Sequence, residues 1–255
     1  MQVLKRVTLP MSAVSLRRTL GGMSGEEPST TDVSSLASGI RETVEDFFKP
    51  RFRGRLHQIT FFLSIPAGVV MILLARGASA DVAASLYAVS VAALFGTSAA
   101  YHRGNWAPNI RERMQKADHA MIFVLIAGSY TPIVLLALQP AWGITLLAIA
   151  WTIAVVGVTL TFTKWDFMNR HSGYVYVGFG WVMVVALPVM FEALSGTQLI
   201  LLFAGGIFYT VGAILFGLER PRLRPRTFGF HEHWHVMTVA AAGCHYALIL
   251  TLVRA

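Results

Sequence analysis

Seven long apolar segments alternate with short polar stretches between residues 50 and 255. A helix needs about 20 mostly apolar residues to cross the hydrocarbon core of a bilayer, and each segment is about that long. Turn-forming pairs and an Arg-Pro run separate the segments. We predict membrane-spanning helices at residues 56–75, 82–102, 118–138, 144–163, 174–191, 199–217 and 231–253. The pattern therefore predicts an all-α, polytopic membrane protein built as a seven-transmembrane helix bundle.

The residues that precede these segments follow a different pattern. Residues 1–33 are rich in Ser, Thr, Gly and Arg, which predicts a disordered N-terminal tail. Within residues 34–49, apolar positions recur at helical spacing and charged positions occupy the other side, which predicts a short amphipathic helix in the membrane interface. Either Met1 or Met23 can be the start of the protein. We therefore predict a tail, an interfacial helix and a seven-transmembrane domain at residues 50–255.

Composition and charge predict the orientation of the bundle. Only 13% of the residues are charged and 55% are hydrophobic, whereas about 25% are charged in soluble domains. Of the 21 Lys and Arg residues, all but Arg76 and Arg254 fall on the side that carries the N-terminus. Basic loops are typical of the cytoplasmic face, so we predict a cytoplasmic N-terminus and an external C-terminus in the cell membrane. No basic-aromatic module predicts a nucleic-acid partner, and no pattern specifies an oligomeric state.

Polar side chains in three of the predicted helices fall at the same predicted depth. His231 and His235 are four residues apart, which places them on one face of a helix. Ser98 and His102 have the same spacing at the end of the second helix, and Asp118 begins the third. In the predicted orientation, all five residues lie just inside the cytoplasmic boundary. Ionisable groups at membrane depth are costly, so we interpret the cluster as functional.

Three histidines that leave a fourth position open are typical of a catalytic zinc site. We predict that His102, His231 and His235 bind Zn²⁺, which lowers the pKa of bound water to about 7. In this interpretation Asp118 holds or deprotonates the water, and Ser98 donates a hydrogen bond to the water or to a substrate oxygen. The alternatives are interfacial packing for the histidines, a helix N-cap or an Arg partner for Asp118, and a bond back to the preceding turn for Ser98.

The remaining histidines are weaker candidates. His57 begins the first predicted helix at the same level and either lines the site or is an interfacial histidine. We predict that His119 and His233 are neighbours of the site rather than ligands. His245 is 14 residues past His231, which is roughly 21 Å along a helix, so it cannot reach the same metal ion.

These residues resemble the hemolysin III branch of the progestin and adipoQ receptor family. The resemblance rests on Ser98-x-x-x-His102, an Asp some sixteen residues later, and His231-x-x-x-His235. The stretches 95–103 and 126–132 are also similar to bacterial members, and the likeness extends from about residue 50 to residue 255. It implies a seven-helix bundle with zinc held by the three histidines, and with Asp118 and Ser98 beside the metal or its water.

The resemblance also implies alternative functions. The adiponectin receptors and alkaline ceramidases of the wider group suggest a zinc-dependent hydrolase for an amide or ester bond of a membrane lipid. The name of the bacterial branch implies membrane-perturbing, cytolytic activity. A third alternative is a receptor-like or lipid-homeostasis protein in which zinc only braces the helices. Many members carry Glu, Asn and Thr where this chain has Pro50, Arg53 and Leu56, so only His57 remains of that motif.

Overall fold

A computed structural model of the protein describes residues 50–163, 166–221, 224 and 227–255, with the backbone alone described for residues 166–170. The predicted disordered tail and amphipathic helix lie outside the described residues. The helices are α1 (Arg55–Leu74), α2 (Ala78–Arg103), α3 (Pro108–Ala137), α4 (Pro140–Phe162), α5 (Asp166–Gly180), α6 (Leu187–Ala193), α7 (Gly196–Gly217) and α8 (Phe230–Val253). A 3-10 helix at Val182–Ala186 joins α5 to α6.

Within the described residues, seven helical segments are long and apolar enough to cross a membrane. Six of them are single α-helices, and the fifth, His171–Ala193, runs through α5, the 3-10 helix and α6. Large apolar side chains face outward, among them Leu73, which is 78% exposed, and Ile200, which is 69% exposed. Such a surface suits contact with lipid. The predicted all-α, seven-helix membrane bundle is therefore confirmed.

The centre of the bundle is α3. In its most apolar stretch 61% of the residues are buried, compared with 44% or less in the other six segments. It packs against α2 and α4 along its length and also contacts α8. Any polar residue on its inner face is therefore enclosed by neighbouring helices.

The third helix begins ten residues earlier than predicted, at Pro108 rather than Asp118. Proline is favoured in the first turn of a helix, and the Arg, Glu, Gln and Lys residues that follow are good helix formers. Lys116 Nζ lies 3.0 Å from Glu112 Oε1, an i,i+4 ion pair that supports this extension. The N-cap is Ala107, so the alternative that Asp118 caps the helix is wrong.

The fifth span is broken where a single helix was predicted. Pro188 lies in the first turn of α6, and its missing N–H removes one helical hydrogen bond at the junction. The carbonyl groups that end α5 have a partner on α3: the hydroxyl of Tyr130 lies 2.8 Å from the carbonyl oxygen of Phe179 and 2.7 Å from that of Gly180. The Met183 N–H also donates to Tyr130 Oη, at 3.4 Å. The central helix thus supplies partners for backbone groups at the break.

Candidate metal centre

Helices α2 and α8 bring three histidines together at one end of the bundle. His102 lies in the last turn of α2, while His231 and His235 lie in the first two turns of α8. One ring nitrogen from each histidine lies within 4.8 Å of the other two. The Nε2 atoms of His102 and His231 are 3.1 Å apart. Residues separated by more than a hundred positions therefore converge on one point.

The spacing of these nitrogens suits a metal ion. Two imidazole nitrogens bound to one tetrahedral zinc ion, each at about 2.1 Å, lie roughly 3.4 Å apart. The observed 3.1 Å between His102 and His231 is close to that value. His102 and His235 are also buried, at 7% and 2% exposure. The three histidines can therefore hold a metal ion, although imidazole ligands also suit copper, iron and nickel.

Asp118 and Ser98 lie beside the three histidines. Asp118 Oδ2 is 3.8 Å from His102 Nε2, and Asp118 and Ser98 line the same cavity. Ser98 Oγ is in turn 2.9 Å from Nδ1 of His57 on α1. The Ser98 hydroxyl on α2 therefore forms a hydrogen bond to a side chain of α1. The structure places both residues next to the cluster, and their roles in catalysis stay a prediction.

His57 is buried inside this group rather than exposed at an interface. Its ring stacks on that of His235, with 3.6 Å between centroids and 11° between planes. It also meets the edge of Phe95 at 4.9 Å. Among the described residues its Nε2 atom is buried and has no hydrogen-bond partner. His57 therefore lines the site and fixes the orientation of a candidate ligand.

The other two histidines near the cluster are not part of it. His119 follows Asp118 and lines the cavity described below. His233 turns away, because its Nδ1 contacts the carbonyl oxygen of Gly229 at 2.7 Å. The metal-ligand group among the described residues contains neither of them.

Glu232 lies directly after His231, is only 2% exposed and was not among the predicted site residues. Its Oε1 accepts a hydrogen bond from Arg53 Nε at 2.6 Å. Its Oε2 accepts one from the N–H of Gly229 at 2.7 Å. The carboxylate thus ties the chain before α1 to the start of α8, where His231 lies. The sequence contained one signal for this role, because Glu232 falls in the first turn of a predicted helix, where an acidic side chain is stabilising.

Gly54, at the start of α1, allows a close approach to the cluster. Its φ of 75° is in the left-handed region that favours glycine. A Cβ atom at this position would lie 2.6 Å from Cβ of His102. The chain entering α1 therefore packs directly on the turn of α2 that carries a candidate ligand.

We expect Arg53→Ala to destabilise the protein by about 3 kcal/mol, because it leaves the buried Glu232 carboxylate without its cationic partner. Glu232→Gln should cost less, because it removes the charge that needs the partner. Thermal unfolding of the detergent-purified protein measures both effects. Arg51→Ala is the matched control, since Arg51 is exposed. Equal unfolding temperatures for the Arg53 and Arg51 variants would contradict the expectation.

A cavity of about 210 Å³ extends from the cluster into the bundle. His57, His231 and His235 line it at one end, together with Asp118. Most of the remaining lining is apolar and comes from α2, α3, α5, α7 and α8, with Leu94, Ile122, Leu125, Ile126 and Val177 among its members. The cluster therefore opens on an interior space that suits a hydrocarbon chain.

The fold and the cluster define a class: membrane proteins with seven spans and a group of three buried or half-buried histidines able to hold a metal ion. Residues 46–246 match the family described as Haemolysin-III related, and the chain belongs to this family. Over 200 residues it is 36% identical to Hemolysin-3 of Bacillus cereus, covering 76% of this chain and 87% of that protein. It is 32% identical over 200 residues to the Hemolysin-3 homolog of Bacillus subtilis (strain 168), covering 76% and 89%. The predicted membership of the hemolysin III family is confirmed.

Proposed function

We propose that the protein is a zinc-dependent hydrolase that cleaves an amide or ester bond of a membrane lipid. The metal ligands are His102, His231 and His235. One observation carries the proposal: three imidazoles and a carboxylate meet at the head of a largely apolar cavity inside a membrane-spanning bundle. A water-soluble substrate would not need such a cavity, whereas an acyl chain fits its lining. The distribution of basic residues supports a site on the cytoplasmic side of the cell membrane.

Each polar residue of the site has a role in this reaction. A zinc ion held there supplies Lewis acidity for the carbonyl group and lowers the pKa of nearby water to about 7. Asp118, whose Oδ2 is 3.8 Å from His102 Nε2, holds the attacking water and takes its proton. As the water oxygen bonds to the carbonyl carbon, the C–N or C–O bond breaks. Asp118 then returns the proton to the departing amine or alcohol.

Ser98 and His57 position the reacting groups. With its proton on Nδ1, His57 donates to Ser98 Oγ across 2.9 Å. The hydrogen of the Ser98 hydroxyl then points either at Asp118 or at the substrate oxygen, where it stabilises developing negative charge. Stacking on His235 holds the His57 ring in this orientation.

Two other functions have a specific observation behind them. Two relatives are named Hemolysin-3 and Hemolysin-3 homolog, which favours membrane-perturbing activity. The candidate ligands also join α2 to α8, so a metal ion there would brace two distant helices. That geometry favours a receptor-like or lipid-homeostasis protein with structural zinc.

One reconstitution experiment separates the three functions. The purified protein is placed in liposomes that contain ceramide or ester lipids and a trapped dye, with and without a zinc chelator. We expect fatty acid release without dye leakage, loss of release on chelation and recovery on adding zinc. Leakage that persists after chelation would support the cytolytic function instead. A lower unfolding temperature on chelation, with no lipid cleaved, would support structural zinc.

A further inference from the structure

Two polar side chains line the far end of the cavity. Tyr209 on α7 and His245 on α8 both line the cavity. The Tyr209 hydroxyl and the His245 Nδ1 atom are buried, and neither has a hydrogen-bond partner among the described residues. Leaving polar groups unpaired inside a membrane-spanning bundle is costly. Such a pair therefore indicates a binding position for a polar group.

The His245 ring presents a hydrogen-bond acceptor. Its Nε2 atom lies 3.4 Å from the carbonyl oxygen of Leu202. A carbonyl oxygen only accepts, so Nε2 carries the proton and Nδ1 keeps a free lone pair. A Cβ atom on Gly205 would collide with the His245 ring. Helix α7 therefore packs directly on this imidazole and holds it in place.

Tyr209 supplies the complementary donor. The centroid of its ring is 5.7 Å from that of His245, and a phenol hydroxyl donates one hydrogen bond. A carbonyl group of a ligand only accepts, so it leaves the His245 Nδ1 atom without a donor, and an N–H group only donates, so it leaves the Tyr209 proton without an acceptor. A hydroxyl group does both at once. The pair therefore matches a hydroxyl better than it matches an isolated carbonyl or an isolated N–H group.

The distance from the histidine cluster gives the position of that hydroxyl in a ligand. His245 lies ten residues after His235 on the same helix, which is roughly 15 Å at the rise of an α-helix. Apolar residues such as Leu94 and Leu125 line the cavity as well. We propose that Tyr209 and His245 form a second subsite, which binds a hydroxyl carried on the distal part of an acyl chain. The acyl head group lies at the histidine cluster, so this inference rests on the proposed function.

Binding of free fatty acids tests this subsite without any turnover. The probes are 12-hydroxystearic acid and stearic acid, titrated into the metal-loaded, detergent-purified protein. We expect the hydroxylated acid to bind roughly tenfold more tightly, because a tenfold ratio of affinities corresponds to the net free energy of about one buried hydrogen bond. Tyr209→Phe and His245→Leu should each bring the ratio of the two affinities close to one, with stearic acid binding unchanged.

Tyr246→Phe is the matched control. Tyr246 is adjacent to His245, and its hydroxyl already donates to the carbonyl oxygen of Ala67 at 2.9 Å. This variant should keep the preference for the hydroxylated acid.

Three outcomes would overturn the subsite: no binding of either acid, equal affinities in the unaltered protein, or a preference that survives Tyr209→Phe. Equal affinities would mean that the pair holds a trapped water only. A preference that depends on Tyr209, found in a protein that cleaves no lipid, would uphold the subsite and overturn the hydrolase.

Discussion

His231→Ala is expected to abolish metal binding. The zinc content should fall from about one ion per chain, as a three-histidine site requires, to near zero. The reason is geometric: without His231, whose Nε2 lies 3.1 Å from that of His102, only His102 and His235 remain of the group. Two neutral imidazoles leave half of a tetrahedral coordination shell without protein ligands. Elemental analysis of the dialysed, detergent-purified protein measures this loss.

The matched control for this experiment is His233→Ala. His233 lies on the same turn of α8, but its Nδ1 contacts the carbonyl oxygen of Gly229. The control should therefore keep its zinc. Because a metal ion stabilises the folded state that binds it, His231→Ala should also remove the increase in unfolding temperature that zinc gives the unaltered protein. Equal zinc contents in the two variants would refute the assignment of His231 as a ligand.

The second large effect is expected from Asp118→Asn, which should lower kcat for lipid hydrolysis by a factor on the order of 10² to 10⁴. Asparagine keeps the shape of the side chain, but it cannot take a proton from water. Zinc content should stay near that of the unaltered protein, because Asp118 is outside the three-histidine group. Fatty acid release at saturating zinc measures the rate.

Glu112→Gln provides the control for the loss of a carboxylate on α3. Its side chain is 68% exposed and lies six residues before Asp118, so the rate should not change. Two results would count against the proposed base: a normal rate in Asp118→Asn, or a rate that falls only in proportion to lost zinc. The second result would make Asp118 a metal-binding residue instead.

The helical content of the bundle follows from local patterns that the sequence contains. The length and apolarity of each segment indicated seven spans, and the four-residue spacing of His231 and His235 placed both on one face. These predictions use only the helical period, which relates residues that are close together in the sequence. The predicted start of α3 was wrong, because apolarity marks only the membrane-embedded part of a helix. Pro108 and the charged residues after it extend the helix beyond that part.

Contacts between helices were decided by the tertiary structure. The sequence predicted that His102 and Asp118 reach one depth, but a depth does not show which way each side chain points. The rotation of α1 stacks His57 on His235, and the close packing of α7 on α8 leaves Tyr209 and His245 side by side. These arrangements depend on how whole helices rotate and pack, and the spacing of residues within one helix carries no information about that.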